Sequence, residues 1–65
     1  MNVEYDLSII LIAYNEEKFL ENCVNTIINT VNPLHINYEI IIVENGSTDR
    51  TFQIARQISE KFSNI

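Results

Sequence analysis

Basic residues, cysteine, glycine and proline are all scarce in this sequence, and each scarcity closes off a class of function. Four Lys and Arg face nine Asp and Glu, for a formal charge of −5. No basic patch or stripe exists to neutralise phosphates, so a nucleic-acid partner is disfavoured. Attraction to an anionic membrane surface is disfavoured for the same reason. A single cysteine permits no internal disulfide framework and fits a reducing compartment. The expected location is the cytoplasm, or the cytoplasmic face of a membrane. The opening MNVEYD has neither the positive stretch nor the apolar core of a secretory signal. The longest apolar run, Ile9 to Tyr14, falls far short of the roughly 18 residues of a membrane span. No Gly-x-Gly-x-x-Gly follows any apolar run, which disfavours a dinucleotide site. Sixty-five residues make one small unit, and a chain of that size buries only about 60% of its unfolded surface.

What is present centres on Tyr38 to Thr51, YEIIIVENGSTDRT. Ile40, Ile41, Ile42 and Val43 form a β-branched run without alternation, as in a parallel strand covered on both faces. Glu44 and Asn45 place polar groups at its end. Gly46, the only glycine, can take positive φ and turn the chain sharply. Ser47 and Thr48 are suited to cap a following helix, and Asp49 suits the positive end of its dipole. Polar side chains at the carboxyl edge of a buried parallel strand, beside a helix N-terminus, mark where α/β sheets bind ligands.

The remaining chain supplies a matching pair of elements. Leu7 to Ala13, LSIILIA, reads as the first strand. Tyr14, Asn15 and Glu16 end it, with Asn15 placed as N-cap and Glu16 and Glu17 in a helical first turn. Phe19, Leu20, Cys23, Val24, Ile27, Ile28 and Val31 then form one helical stripe, which predicts a helix from about Glu16 to Thr30. Pro33 stops it, and Asn32 to Asn37 is a loop. Phe52, Ala55, Ile58 and Phe62 recur at helical spacing and predict a second helix from about Asp49 to Phe62.

The order strand, helix, strand, helix predicts an α/β fold in which two parallel strands are joined by a right-handed crossover. Tyr14–Glu16 and Glu44–Ser47 then lie side by side at one rim. If the sheet continues beyond the second strand in the same direction, both helices fall on one face of it. Ile9, Leu11, Ile40 and Ile42 point to one side, whereas Ile10, Ile12, Ile41 and Val43 point to the other. Whichever set the helices leave bare is a larger apolar patch than a soluble monomer tolerates. The expectation is a single partial domain over residues 1–65 that belongs to a larger chain or covers itself as a homo-oligomer.

The two segments LSIILIAYNEEKFLENCVNTI and YEIIIVENGSTDRT resemble the N-terminal part of family-two glycosyltransferases, which have the GT-A fold. Tyr14, Asn15 and Glu16 match the family's first turn, and Gly46, Ser47, Thr48, Asp49 and Thr51 match its second motif. The resemblance runs from about Leu7 to Phe62. It implies a βαβα unit with two parallel strands that forms the N-terminal half of a nucleotide-binding, Rossmann-like domain. It also implies transfer of a sugar from a nucleotide-sugar donor to an acceptor.

By position, Tyr14, Asn15, Glu16, Glu44, Asn45, Gly46 and Ser47 would form part of the donor-nucleotide site. Tyr14 would lie against the base, Asn45 would hydrogen-bond the base edge, and Glu44 would lie near base or ribose. The sequence departs from the family in two places. Ile12 stands where a proline is usual, and Glu44–Asn45 replaces an acidic pair. An amide both donates and accepts, so UDP, GDP and dTDP sugars all stay open. The family's divalent metal, Mn or Mg, is held by an Asp-x-Asp that this sequence lacks. Metal is therefore expected only in the intact enzyme. Transfer also needs a base and an electrophilic clamp, so no catalytic residue is assigned and the chain alone is expected to be inactive.

Several single residues carry plainer alternatives. Asn45-Gly46-Ser47 is a glycosylation sequon, but no signal accompanies it. Asn-Gly also marks hairpins, yet STDRT has no strand pattern. Cys23 is expected in the core rather than as a nucleophile, and His35 has no neighbouring ligand candidate. Glu16 and Glu17 are most simply helix-dipole residues, with ligand contact by Glu16 as the alternative; Asp49 is likewise a first-turn helix residue, and Tyr14 packs against the helix or contacts the base. The competing functions are a nucleotide-binding module without chemistry and an oligomerising structural fragment.

Overall fold

The computed structural model describes residues 4–65, so the first three residues of the expected unit lie outside the described residues. Strand β1 is Leu7–Ala13, helix α1 Leu20–Val31, a 3-10 turn Asn32–Leu34, strand β2 Tyr38–Glu44 and helix α2 Thr51–Lys61. Both strands occupy the spans read from the sequence. They pair in parallel, with Leu7 opposite Tyr38 and Ala13 opposite Glu44. Both strands are nearly continuous apolar runs, as in parallel strands, and the intervening helix supplies the crossover that parallel pairing needs.

One face of the sheet carries the core. Ala13 and Ile40 meet Leu20 and Val24 of α1 and Ala55 and Ile58 of α2. Both helices therefore cover the same side. The opposite side is open: Ile10 is 65% and Ile12 72% exposed, and Ile41 and Val43 stand beside them. At the far end of the sheet, Asp6 and Asn37 close the strands' entry by exchanging backbone and side-chain bonds. The segment after α2 returns to the outer edge of β2, where the Ile40 N–H donates to the Asn64 carbonyl at 2.9 Å.

Both helices begin later than the sequence predicts. Asn15 is no N-cap, because its φ of 52° is left-handed whereas an N-cap sits in the extended region. The chain instead makes a tight turn, with the N–H groups of Phe19 and Leu20 both donating to the Glu16 carbonyl. The α-helical ladder starts at Leu20. Ser47 and Thr48 likewise do not cap α2, because both are engaged with the loop after β1.

Three stripe residues are also exposed rather than buried: Phe19, Cys23 and Phe52. The expectation that Cys23 is a core residue is thus corrected. Phe19 and Cys23 flank a groove along the outer edge of β1, and Phe52 flanks one along the outer edge of β2. Periodicity assigns them to an apolar side, but no element within the described residues reaches that far.

Candidate functional site

The parallel register puts Ala13 and Glu44 level, so the chain leaves both strands at the same rim. Two loops follow there, residues 14–19 and 45–50, each leading into a helix. Gly46 turns the second loop with φ +70°, and no atom lies within 4 Å of where a Cβ would sit. Glycine is required here by backbone conformation rather than by crowding. Asn15 takes the same left-handed region in the first loop, which asparagine tolerates better than most residues.

The loops are bonded to each other mainly by side chains reaching for backbone. The Asn15 N–H donates to the Ser47 hydroxyl at 3.0 Å. The Asn15 amide oxygen accepts from the Thr48 N–H at 2.9 Å. The Glu16 N–H donates to the Thr51 hydroxyl oxygen at 2.7 Å, and the Glu17 N–H to Asp49 Oδ2 at 3.3 Å. Asp49 Oδ1 accepts from both the N–H and the hydroxyl of Thr51. Thr51 is 0% exposed, and among the described residues no buried side-chain polar atom lacks a partner. A buried hydroxyl is tolerated because both its donor and its acceptor capacity are used.

All seven residues expected in a donor site lie at this rim. Tyr14 is 55% exposed, and Asn15, Glu16 and Asn45 are also open to solvent. Ser47 and Glu44 are half-buried, and the Ser47 N–H donates to Glu44 Oε1. That bond, then the Ser47 hydroxyl and the Gly46 N–H, hold the Glu44 carboxyl below its ordinary value against partial desolvation and the nearby Asp49 charge. The Thr51 hydroxyl does the same for Asp49, with backbone N–H groups adding to it. Both carboxylates are therefore anionic at neutral pH.

The sequence reading did not foresee that Asp49 and Thr51 hold the first loop. The signal was there as a spacing: Asp followed two residues later by Thr suits an Asx-type turn, in which one carboxylate oxygen takes the Thr N–H and the other is left for a further backbone N–H. A shallow hollow beside the rim is lined by Asn15, Glu17, Lys18, Phe19 and Asp49. Grooves along the two strand edges reach Glu16 and Glu44 but are lined mainly by apolar side chains. No group of three or more His, Cys, Asp or Glu that could hold a metal ion gathers among the described residues.

Two strands of this register with polar loops at their carboxyl ends occur in many proteins, and comparison with known sequences selects among them. The family model described as Glycosyl transferase family 2 matches residues 8–65. The chain belongs to glycosyl transferase family 2. Its two-stranded parallel α/β arrangement accords with the N-terminal part of that family's Rossmann-like domain.

Among similar family members, Glycosyltransferase AglE of Haloferax volcanii is 37% identical over 59 residues, covering 91% of this chain and 19% of that protein. Dolichol-phosphate mannosyltransferase of Pyrococcus furiosus is 39% identical over 56 residues, 86% of this chain and 15% of that protein. Poly(ribitol-phosphate) beta-glucosyltransferase of Bacillus spizizenii is 34% identical over 59 residues, 91% of this chain and 9% of that protein. The chain thus spans less than a fifth of the length of each of these relatives.

Proposed function

We propose that this chain forms the donor-nucleotide half of a glycosyltransferase that moves a sugar from a UDP, GDP or dTDP sugar to an acceptor. The observation that carries the reading is the single rim to which Tyr14–Glu16 and Glu44–Ser47 are brought in a family-two chain. In this reading the exposed Tyr14 ring lies against the base. The Asn45 amide reads its edge, offering both donor and acceptor. Glu44 already holds Ser47 and keeps one carboxylate oxygen for base or ribose. Gly46 and Ser47 bring backbone close to the ligand beside the start of α2.

The two loops and the end of β2 carry four acidic groups, Glu16, Glu17, Glu44 and Asp49, against Lys18 and Arg50. A diphosphate is repelled by such a rim unless a cation accompanies it. This supports a divalent ion, Mn or Mg, in the intact enzyme. The described residues do not make a metal site, so its ligands belong to other parts of that enzyme. The acceptor hydroxyl's base is likewise not assigned to any residue here.

The bare sheet face is covered in the working protein by further chain of the same enzyme or by a second copy. The short span relative to family members supports the first. Sedimentation of the 65-residue chain should show self-association. A well-folded dilute monomer contradicts a need for cover. For the donor reading, calorimetric titration with UDP, GDP and dTDP, with and without manganese, should give saturable heat with one of them. No heat with any of the three overturns it.

A further inference from the structure

The bonds at Asp49 run in two directions at once. Oδ1 receives the N–H and hydroxyl of Thr51 in the second loop's exit, while Oδ2 receives the Glu17 N–H of the first loop at 3.3 Å. A carboxylate without a proton can only accept. The Thr51 hydroxyl must therefore donate to it, which leaves the Thr51 oxygen to accept from the Glu16 N–H at 2.7 Å. The order of donors and acceptors is fixed, and Thr51 is wholly buried and cannot turn away. Two successive backbone N–H groups of the first loop are thus held by one carboxylate, directly at Glu17 and through Thr51 at Glu16. The residue before them, Asn15, sits at φ 52°, a left-handed turn that asparagine tolerates and that leads directly into the two held N–H groups.

We propose that Asp49 is a positioning residue for the nucleotide rim, fixing the conformation of residues 15–17 from the second loop without touching the nucleotide. The proposal rests on the donor reading above for what the rim is used for, but not for the coupling itself. A plain helix-capping role makes a different claim. Asp49 would then matter to the first turn of α2 and leave residues 15–17 as they are.

Asp49→Asn in the full chain separates the two. The carboxamide keeps one accepting oxygen, which can serve Thr51, and turns an NH2 toward the Glu17 N–H, donor to donor. Amide hydrogen exchange at Glu16 and Glu17 should then quicken roughly tenfold, the scale of one lost charge-assisted bond. Affinity for whichever of UDP, GDP or dTDP the chain binds should fall by a similar factor. Thr51→Ser, which keeps the hydroxyl, should leave both readouts unchanged. If Asp49→Asn does not fold, Thr51→Val decides: exchange should quicken at Glu16 while Glu17 stays protected. Unchanged exchange at residues 15–17, with effects confined to α2, overturns the proposal, as does faster exchange with unchanged nucleotide affinity. A chain that binds no nucleotide overturns the donor reading, and the exchange result still decides whether Asp49 holds the first loop.

Discussion

The core under the sheet and the rim at its carboxyl end are held together by different physics. Ile40, Leu20, Val24 and Ile58 interlock by apolar burial, a force without direction that does not titrate. At the rim, Asn15, Ser47, Asp49 and Thr51 are joined by hydrogen bonds of fixed direction, most of them from backbone N–H to side-chain oxygen. The core needs residues of about the right size, whereas the rim needs particular atoms in particular places. Hydrogen-bond donors and acceptors on a ligand are matched by the second kind of order and not by the first.

The difference can be sharpened by substitution. Ile40 is 1% exposed, so Ile40→Ala should cost about 2–5 kcal/mol in denaturant unfolding. Ile12→Ala on the bare face should cost less than about 0.5 kcal/mol in the dilute monomer and more at concentrations where the chain self-associates. Equal losses at the two positions would show that the bare face is covered in solution. At the rim, Thr51→Val preserves volume but leaves the Glu16 N–H without its acceptor, and about 1–3 kcal/mol should be lost. Gly46→Ala meets no neighbouring atom and pits only backbone conformation against folding. Its cost should be about 1–2 kcal/mol, visible as a lowered denaturant midpoint at unchanged slope.

Acid should weaken the rim and leave the core's own packing alone. Glu44 and Asp49 are both held below their ordinary values of 4.5 and 3.8. The folded chain therefore binds fewer protons at these groups than the unfolded chain, and stability rises with pH there. Their contribution is complete above about those values and is lost as pH falls through the lower, folded ones. Amide protection at Glu17 and Ser47 should decline in that window before protection at Ile40 does. Simultaneous loss at all three would mean that rim and core open as one unit.

The core was almost fully legible in the sequence because burial leaves a period. Both strands were delimited to the residue, and the alternation of Ile9 and Leu11 against Ile10 and Ile12 predicted one covered and one open face. Cys23 and Phe52 misled because periodicity assigns a side chain to a helix face but does not say how far a neighbour extends over it. The rim was legible as a place and not as a network. Asn15, Ser47 and Thr48 carry the composition of helix caps, and local rules assign them to the nearest helix. Each instead bonds the other loop, more than 30 residues away in sequence. No local pattern records such a partner until the parallel register is known.

Whether the paired strand ends form one nucleotide-accepting rim can be read from where a bound nucleotide perturbs the backbone amides. The nucleoside diphosphate that binds should move Tyr14–Glu16 and Glu44–Ser47 together, with the largest shifts at Tyr14 and Asn45. Saturable binding with those amides unmoved, or shifts in one loop alone, would contradict it.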